Sequence, residues 1–376
     1  MALDDSPSPH PITPPQDEEE LHQWLRLLRS RRVGPTTFFR LMAEHGGATA
    51  ALEALPGVAA KAGVKDYQVC PSDRVDVELR AARMAGAHAV AYGTKDYPES
   101  LLPLNDAPPV LWIIGRTDIL LKPAVALVGA RNASSLGTRM ARKLGEDLGS
   151  AGIAVVSGLA RGIDAAAHAA ALKTGTIAVM GGGADVIYPA ENAVLGQEII
   201  ENGCRLSEQP MGLQPMSRHF PIRNRIIAGL ARMVVVIEAA GRSGSLITAR
   251  AALDQGRDVG AVPGHPFDGR AGGCNILLRD GAIPVRNAKD VLEALSARNP
   301  DRTNQARPEK SSATVTHDDQ LALHRDILNR LGSAPLAEDQ LIRDLAKPAA
   351  LIGAEIMALE LDGKVQRQPG GLICKL

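Results

Sequence analysis

Aromatic side chains are scarce, at 3% of 376 residues, so each one that stands near a candidate site carries weight. There is no surplus of charge: 42 Lys and Arg balance 42 Asp and Glu. Whole-chain attraction to nucleic acid is thereby excluded, and any such function must rest on local clustering. Cys70, Cys204, Cys274 and Cys374 stand far apart with no paired spacing, which argues against a zinc site and a disulfide framework and favours a reduced cytoplasm. No stretch approaches the roughly 18 apolar residues of a membrane span. The Pro-, Ser- and acid-rich residues 1–17 contain no apolar run and read as a disordered tail, with no signal peptide.

The chain is long enough for two or three domains, and its 45% hydrophobic content is that of a globular protein. In residues 18–85, Leu21, Trp24, Leu25 and Leu28, then Phe38, Phe39, Leu41 and Met42, recur at helical spacing. They predict a small helical unit of the SAM or helix-hairpin-helix kind. Val33-Gly34-Pro35 is either a hairpin whose amides hold a DNA phosphate or, the commoner use of Gly-Pro, a turn between packed helices. Residues 86–122 are proline-rich and read as an extended connection.

Residues 123–297 alternate short apolar runs with amphipathic stretches. Val125–Val128, Ile153–Val156, Ile177–Met180, Met233–Ile237 and Val259–Val262 are apolar throughout, which implies strands buried on both faces of a parallel sheet. The fold class is therefore α/β, a Rossmann-like doubly wound sheet. Residues 298–318 lose apolar periodicity and form a linker, and 319–376 show three helical stretches and a terminal hairpin, as in a winged helix.

Ligands of such a sheet sit beyond the carboxyl ends of its strands. The first strand leads into Gly129-Ala130-Arg131-Asn132-Ala133-Ser134, where glycine and the following helix offer free amides to an anion. The full dinucleotide fingerprint is missing, as is an acid to bind a ribose, so no cofactor is expected. The second strand leads into Ser157-Gly158-Leu159-Ala160-Arg161-Gly162-Ile163-Asp164, with His168 one turn on. Asp164 and His168 share a helix face, either as an acid–base pair or, the reading favoured here, as a helix cap with a His bonded to it. Gly181-Gly182-Gly183 follow the third strand and mark a close backbone approach, to ligand or to neighbouring structure.

Charge placement is more informative. No carboxylate stands between Asp118 and Glu146, where Lys122, Arg131, Arg139, Arg142 and Lys143 lie; between Glu208 and Asp254 the single carboxylate is Glu238, against Arg218, Arg223, Arg225, Arg232, Arg242 and Arg250. A polyanion site accounts for both stretches better than an ordinary solvated surface. The three aromatics of the sheet domain, Tyr188, Phe220 and Phe267, each adjoin a proline in an expected loop, where they either stack bases or pin the loop down.

Four motifs carry a family resemblance: Gly129-Ala130-Arg131, the run Ser157 to Asp164, Phe220-Pro221-Ile222-Arg223-Asn224-Arg225, and Ser243-Gly244-Ser245-Leu246-Ile247-Thr248-Ala249. In this order they resemble the DNA-processing protein A family, also called DprA or Smf, over nearly the entire chain. The resemblance implies a cytoplasmic protein, not an enzyme, that coats incoming single-stranded DNA during natural transformation and loads RecA. It also implies a homodimer formed through the Rossmann-like domain. The implied DNA contacts include Arg131, Arg223 and Asn224, with Phe220, Ser243, Gly244 and Ser245 beside them. Arg161, Arg218, Arg225 and Arg242 join them as candidates, and Gly129, Ala130, Ser134, Gly158, Gly181 and Gly182 form the candidate anion loops. Ala190 is a departure, since some members place a basic residue directly after the Tyr-Pro of the third-strand loop. The candidate recognition helix, residues 348–361, holds Glu355 and Glu360 and no Lys or Arg. The C-terminal unit is therefore expected to contact protein, with Lys364 and Arg367 of the wing as the lesser, DNA-binding reading.

Two enzyme alternatives stand beside this. One is a nucleoside-monophosphate phosphoribohydrolase of the lysine-decarboxylase-like fold, with Glu238 and Arg242 at the reacting centre. It is weakened because Gly241-Arg242-Ser243-Gly244-Ser245 replaces the usual Pro-Gly-Gly loop. A dinucleotide oxidoreductase is weakened by the missing ribose acid.

Overall fold

The computed structural model describes residues 12–297, 317–331 and 336–345, then Ile352, Glu355, Ile356, Leu359, Glu360, Asp362 and residues 364–368 and 372–375. Most of the expected tail, nearly all of the expected linker and most of the candidate recognition helix lie outside them. The chain divides after Pro300 into two compact units.

In the first unit, α1 (Glu18–Arg29) starts where the Asp17 carboxylate accepts the Glu20 N–H at 2.8 Å. Three glutamates follow at its positive end, and Arg26 and Arg29 stand at its negative end. α2 (Pro35–His45) begins at Gly34-Pro35 and ends on left-handed Gly46. α3 (Ala48–Lys61) and α4 (Ser72–Met84) complete the helical part. Trp24, Leu25, Phe38, Leu41, Leu52 and Val75 share one core with Trp112 and Ile114 of the sheet. Buried Glu78 fastens the two parts: it accepts from Arg29 at 2.7 and 3.0 Å and from the Trp112 indole at 2.7 Å.

The sheet has nine strands: β1 (Ala87–Ala91), β2 (Val110–Gly115), β3 (Ala124–Val128), β4 (Ala154–Ser157), β5 (Thr176–Val179), β6 (Cys204–Ser207), β7 (Met233–Val236), β8 (Asp258–Ala261) and β9 (Ile283–Pro284). Their order is β1-β2-β6-β5-β4-β3-β7-β8-β9, parallel from β6 to β9, with β1 and β2 antiparallel at one end. The helices between strands are α5 (Ser135–Ser150), α6 (Ile163–Ala171), α7 (Ala193–Asn202), α8 (His219–Leu230), α9 (Ser245–Asp254) and α10 (Gly272–Arg279), and α11 (Ala288–Ala297) follows the last strand. Residues of α8, α9 and α10 share one core with the sheet, and α5, α6 and α11 share another, so both faces are covered as the all-apolar strands require.

The five expected strands are present within a residue or so of their expected bounds. Residues 86–122 are not a mere connection: they supply β1 and β2, and Tyr97 between these strands is buried with its hydroxyl donating to the Pro108 carbonyl at 2.9 Å. β6 escaped notice because Arg205 interrupts its apolar run, yet Arg205 is only 4% exposed. The stretch from His219 to Arg225, where Phe220-Pro221 suggested a loop, is helical. It is the first half of α8, whose first turn accommodates Pro221.

In the second unit, α12 (His317–Arg330), β10 (Leu336–Ala337), α13 (Glu338–Leu345), β11 (Val365–Gln368) and β12 (Leu372–Lys375) enclose Leu323, Ile327, Leu341, Ile356 and Val365. The strands pair antiparallel in the order β10-β12-β11, so the expected terminal hairpin is β11–β12. Glu355 is not a surface acid: it is buried and 2.6 Å from His324 Nε2. Lys364 is exposed and paired with Asp362 at 3.0 Å, and the Arg367 side chain lies outside the described residues.

Candidate nucleic-acid interface

The chain runs outward from β3 through β4, β5 and β6, then returns to β7 on the other side of β3. The carboxyl ends of β3 and β7 therefore flank the switch point where a doubly wound sheet opens a crevice. A cleft of about 770 Å³ lies there. Its walls come from the loops after β3, β4 and β7, from α8 and from the start of α9. Arg131, Arg223, Arg242 and Arg270 line it against one carboxylate, Asp164, so the cleft is positively charged although the chain is neutral.

Exposed Arg131 holds its guanidinium 5.2 Å from the Phe220 ring centroid. Phe220 in turn lies 5.8 Å from Tyr188 at an interplanar angle of 36°, and Tyr188 is 47% exposed. Cation, ring and ring form a short ladder at the rim. Phe220 stands in the first turn of α8 and not in a loop, and this fixes its position relative to Arg131. Across the cleft are exposed Arg242 and Gly244, with half-buried Ser243 bonded through its hydroxyl to that of buried Ser245 at 2.7 Å. Asn224 and Ala130 also line the cleft.

Other candidates are placed differently. Arg161 is exposed beside a smaller hollow shared with Arg131 and Tyr188, and pairs with Glu191 at 3.1 Å. Arg218 is exposed just before α8 and is not part of the cleft lining. Arg225 is withdrawn from DNA: its guanidinium is bound by Asp106 at 2.9 Å and by Glu208 at 2.6 Å, and burial pushes the Glu208 carboxyl up. Gly181 faces the Phe220 ring, and Gly182 packs on Leu213 and Pro215, so both approach neighbouring structure. Ser134 caps α5 and binds Glu238 away from the cleft. Gly129 leans on Ile163, and Gly158 leaves room for the Arg223 guanidinium, since a Cβ there would stand 2.5 Å from its Cζ.

Arg223 is the largest revision among the implied contacts. Only 6% exposed, it sits at the cleft floor, donates to the Val179 carbonyl and faces Asp164. Burial lowers its pKa to about 10, Asp164 opposing the shift and Arg131 adding to it, so Arg223 stays charged at neutral pH. Burial raises Asp164, against Arg223 and the Ala160 and Gly158 amides that hold its carboxylate. Asp164 and His168 form neither an acid–base pair nor a bonded pair. The Thr176 hydroxyl donates to the Val155 carbonyl at 2.7 Å and so accepts the His168 Nδ1–H at 2.7 Å. Burial and then Arg223 push His168 down to about 3, which keeps it neutral.

The contribution that sequence reasoning missed is Arg270, which reaches the cleft from the loop between β8 and α10. Its sequence neighbours are Gly269 and the acid Asp268, so it stands outside both carboxylate-free stretches. Among the described residues no group of His, Cys, Asp and Glu has the arrangement of a metal site, and no helix is long and apolar enough to cross a membrane.

Residues 88–296 match the family described as DNA recombination-mediator protein A; residues 18–81 match a DprA-like N-terminal HHH domain and 308–371 a DprA winged helix domain. Protein Smf of Escherichia coli (strain K12) is 35% identical over 309 residues, covering 81% of each chain. The X-ray structure of DNA processing protein A from Streptococcus pneumoniae aligns at a TM-score of 0.57 and 36% identity, over 72% of this chain and 92% of its own. DNA processing protein A from Helicobacter pylori, whose structure is described as giving insight into its unique single-stranded DNA binding mode, aligns at a TM-score of 0.52 and 30% identity. That alignment covers 56% of this chain and 97% of the other.

Proposed function

The chain belongs to the DNA recombination-mediator protein A family, and from that premise we propose that it binds single-stranded DNA without chemical conversion, protects incoming strands in the cytoplasm and loads RecA on them during natural transformation. The observation that carries this reading is the ladder of Arg131, Phe220 and Tyr188 beside a cleft with four arginines and one acid. A guanidinium with two partly exposed rings offers a phosphate contact and stacking faces to unpaired bases, which a closed duplex cannot use. The single-strand binding described for the Helicobacter pylori relative supports the same ligand. The hydrolase reading loses support because the Glu238 carboxylate is engaged by Ser134 and lies outside the cleft lining.

A homodimer through the sheet-bearing unit belongs to this proposal. Leu253 on α9 and Ile276 on α10 are 58% and 41% exposed, and Phe267 between β8 and α10 is 95% exposed, so this unit offers apolar groups for burial.

Labelled oligonucleotides of equal length, single- and double-stranded, should separate clearly in a fluorescence anisotropy titration, the single strand binding more tightly. Equal or preferential duplex binding would overturn the reading. RecA loading is checked by the lag before RecA hydrolyses ATP on DNA already coated by a single-strand binding protein. The full chain should shorten that lag, and an unchanged lag removes the loading role while leaving the binding role intact.

A further inference from the structure

Glu238 is the sole acid between Glu208 and Asp254, in a stretch otherwise rich in arginine. It stands two residues beyond the end of β7, and the preceding residue is held when the Ile237 N–H donates to the Val128 carbonyl at 3.0 Å. Its carboxylate reaches across the switch point to the N-terminus of α5. There it accepts the Ser134 backbone N–H at 2.9 Å and the Ser134 hydroxyl. The Ser134 oxygen accepts the Gly137 N–H at 3.0 Å. Gly137 has its own part in this: a Cβ there would stand 2.6 Å from both carboxylate oxygens. Position 137 is kept bare because an anion lies over it.

Strand, glycine-bearing turn and helix N-terminus at a switch point are the parts with which a doubly wound fold seats a nucleotide phosphate. Here all of them are present, and the anion is supplied by the chain. We propose that Glu238 is a built-in anion filling the phosphate seat at the start of α5, and that it determines specificity by denying that seat to mononucleotides and dinucleotides. The positive helix end is neutralised from within, and the 129–134 turn is fastened to the end of β7. Arg131 then faces the open cleft, where a continuous strand can pass. The inference rests on the DNA-binding reading for what the specificity favours, but its physical content, an occupied phosphate seat, does not.

The two are separated by experiment. Inorganic pyrophosphate, titrated calorimetrically into the full chain, tests the seat directly. Glu238→Ala removes the occupant and leaves the Ser134 donors and the helix end facing a groove of about 860 Å³ that Arg139 and Arg142 also line. Pyrophosphate should bind Glu238→Ala on the order of tenfold more tightly than the wild type. Glu238→Gln keeps an acceptor for Ser134 and therefore the local fold if the alanine variant does not fold. Loss of its charge alone should tighten pyrophosphate by about threefold. Combining either change with Ser134→Ala, which removes the hydroxyl but keeps the backbone N–H, should reduce the gain. Pyrophosphate binding no tighter than wild type in the folded variants overturns the proposal, as does a gain that Ser134→Ala leaves undiminished. A wild-type chain that fails to bind single-stranded oligonucleotide would instead overturn the function, with the pyrophosphate comparison still deciding the role of Glu238.

Discussion

Arg131 and Arg223 carry the same charge and line the same cleft, yet burial gives them different roles. Arg131 is exposed and its guanidinium lies against the face of Phe220, so Arg131→Ala should leave the unfolding midpoint nearly unchanged. It should lower the log–log salt slope of single-strand binding by about 0.7, the signature of one lost phosphate contact. Arg223 is the countercharge of buried Asp164, and its removal strands a carboxylate in a cavity. Arg223→Ala, which also leaves the buried Val179 carbonyl without this donor, should therefore cost about 1–3 kcal/mol in urea unfolding, with any loss of DNA affinity following from the displaced loop. A stable Arg223→Ala whose slope falls like that of Arg131→Ala would restore it as a direct contact. His168 adds a pH dependence. Its folded pKa is about 3 against 6.5 for the free side chain, so between these values the unfolded chain binds more protons, and stability rises with pH. The contribution is complete above pH 6.5 and falls by about 1.4 kcal/mol per unit below it. His168→Gln should accordingly flatten the fall in stability from pH 7 to pH 5 relative to wild type.

At the scale of elements, the interface is a set of loops held against one another, and Gly162 is where two of them touch. Its φ is +74°, and a Cβ would stand 2.6 Å from the Arg131 carbonyl oxygen, so backbone sits where a side chain would go. Gly162→Ala should cost roughly 1–3 kcal/mol through strain and displacement of the Arg131 turn. Oligonucleotide affinity should weaken along with the thermal midpoint; a neutral effect on both would mean that the two loops move independently. This contact also marks the limit of what sequence reveals. The strands after which the loops emerge were legible because continuous apolar runs such as Met233–Val236 have one good explanation. The first two strands were not, because Ala87–Ala91 carries little hydrophobic signal and the second begins directly after Pro108-Pro109. Likewise a run of arginines disclosed the cleft's charge but not its division of labour. Whether Arg225 faces DNA or Glu208 depends on Asp106 and Glu208, both distant along the chain. Pro221 suggested a loop because proline breaks helices in their interior, whereas as the third residue of α8, inside the first turn, it is tolerated.

At the scale of the whole molecule, the cleft, the ladder and the Glu238 clip are all built from residues before Pro300, whereas the winged-helix unit has its own core around Leu323, Ile327 and Ile356. The described residues that line the cleft all belong to the first unit. The two charge distributions also differ in kind. The cleft gathers four arginines around one acid, while the described residues of the C-terminal helix turn Glu355 inward onto His324, and the exposed Lys364 is already paired with Asp362. A chain ending at residue 297 should therefore fold, since α11 completes the sheet unit's core with Val291 and Ala288 at 0% and 6% exposure. It should bind a labelled single strand with a salt slope within about 0.7 of the full chain, less than one phosphate contact of difference. If the slope falls by two contacts or more in a truncated chain that keeps its unfolding midpoint, the wing reaches the DNA, and the strand path must run beyond the switch point onto the second unit.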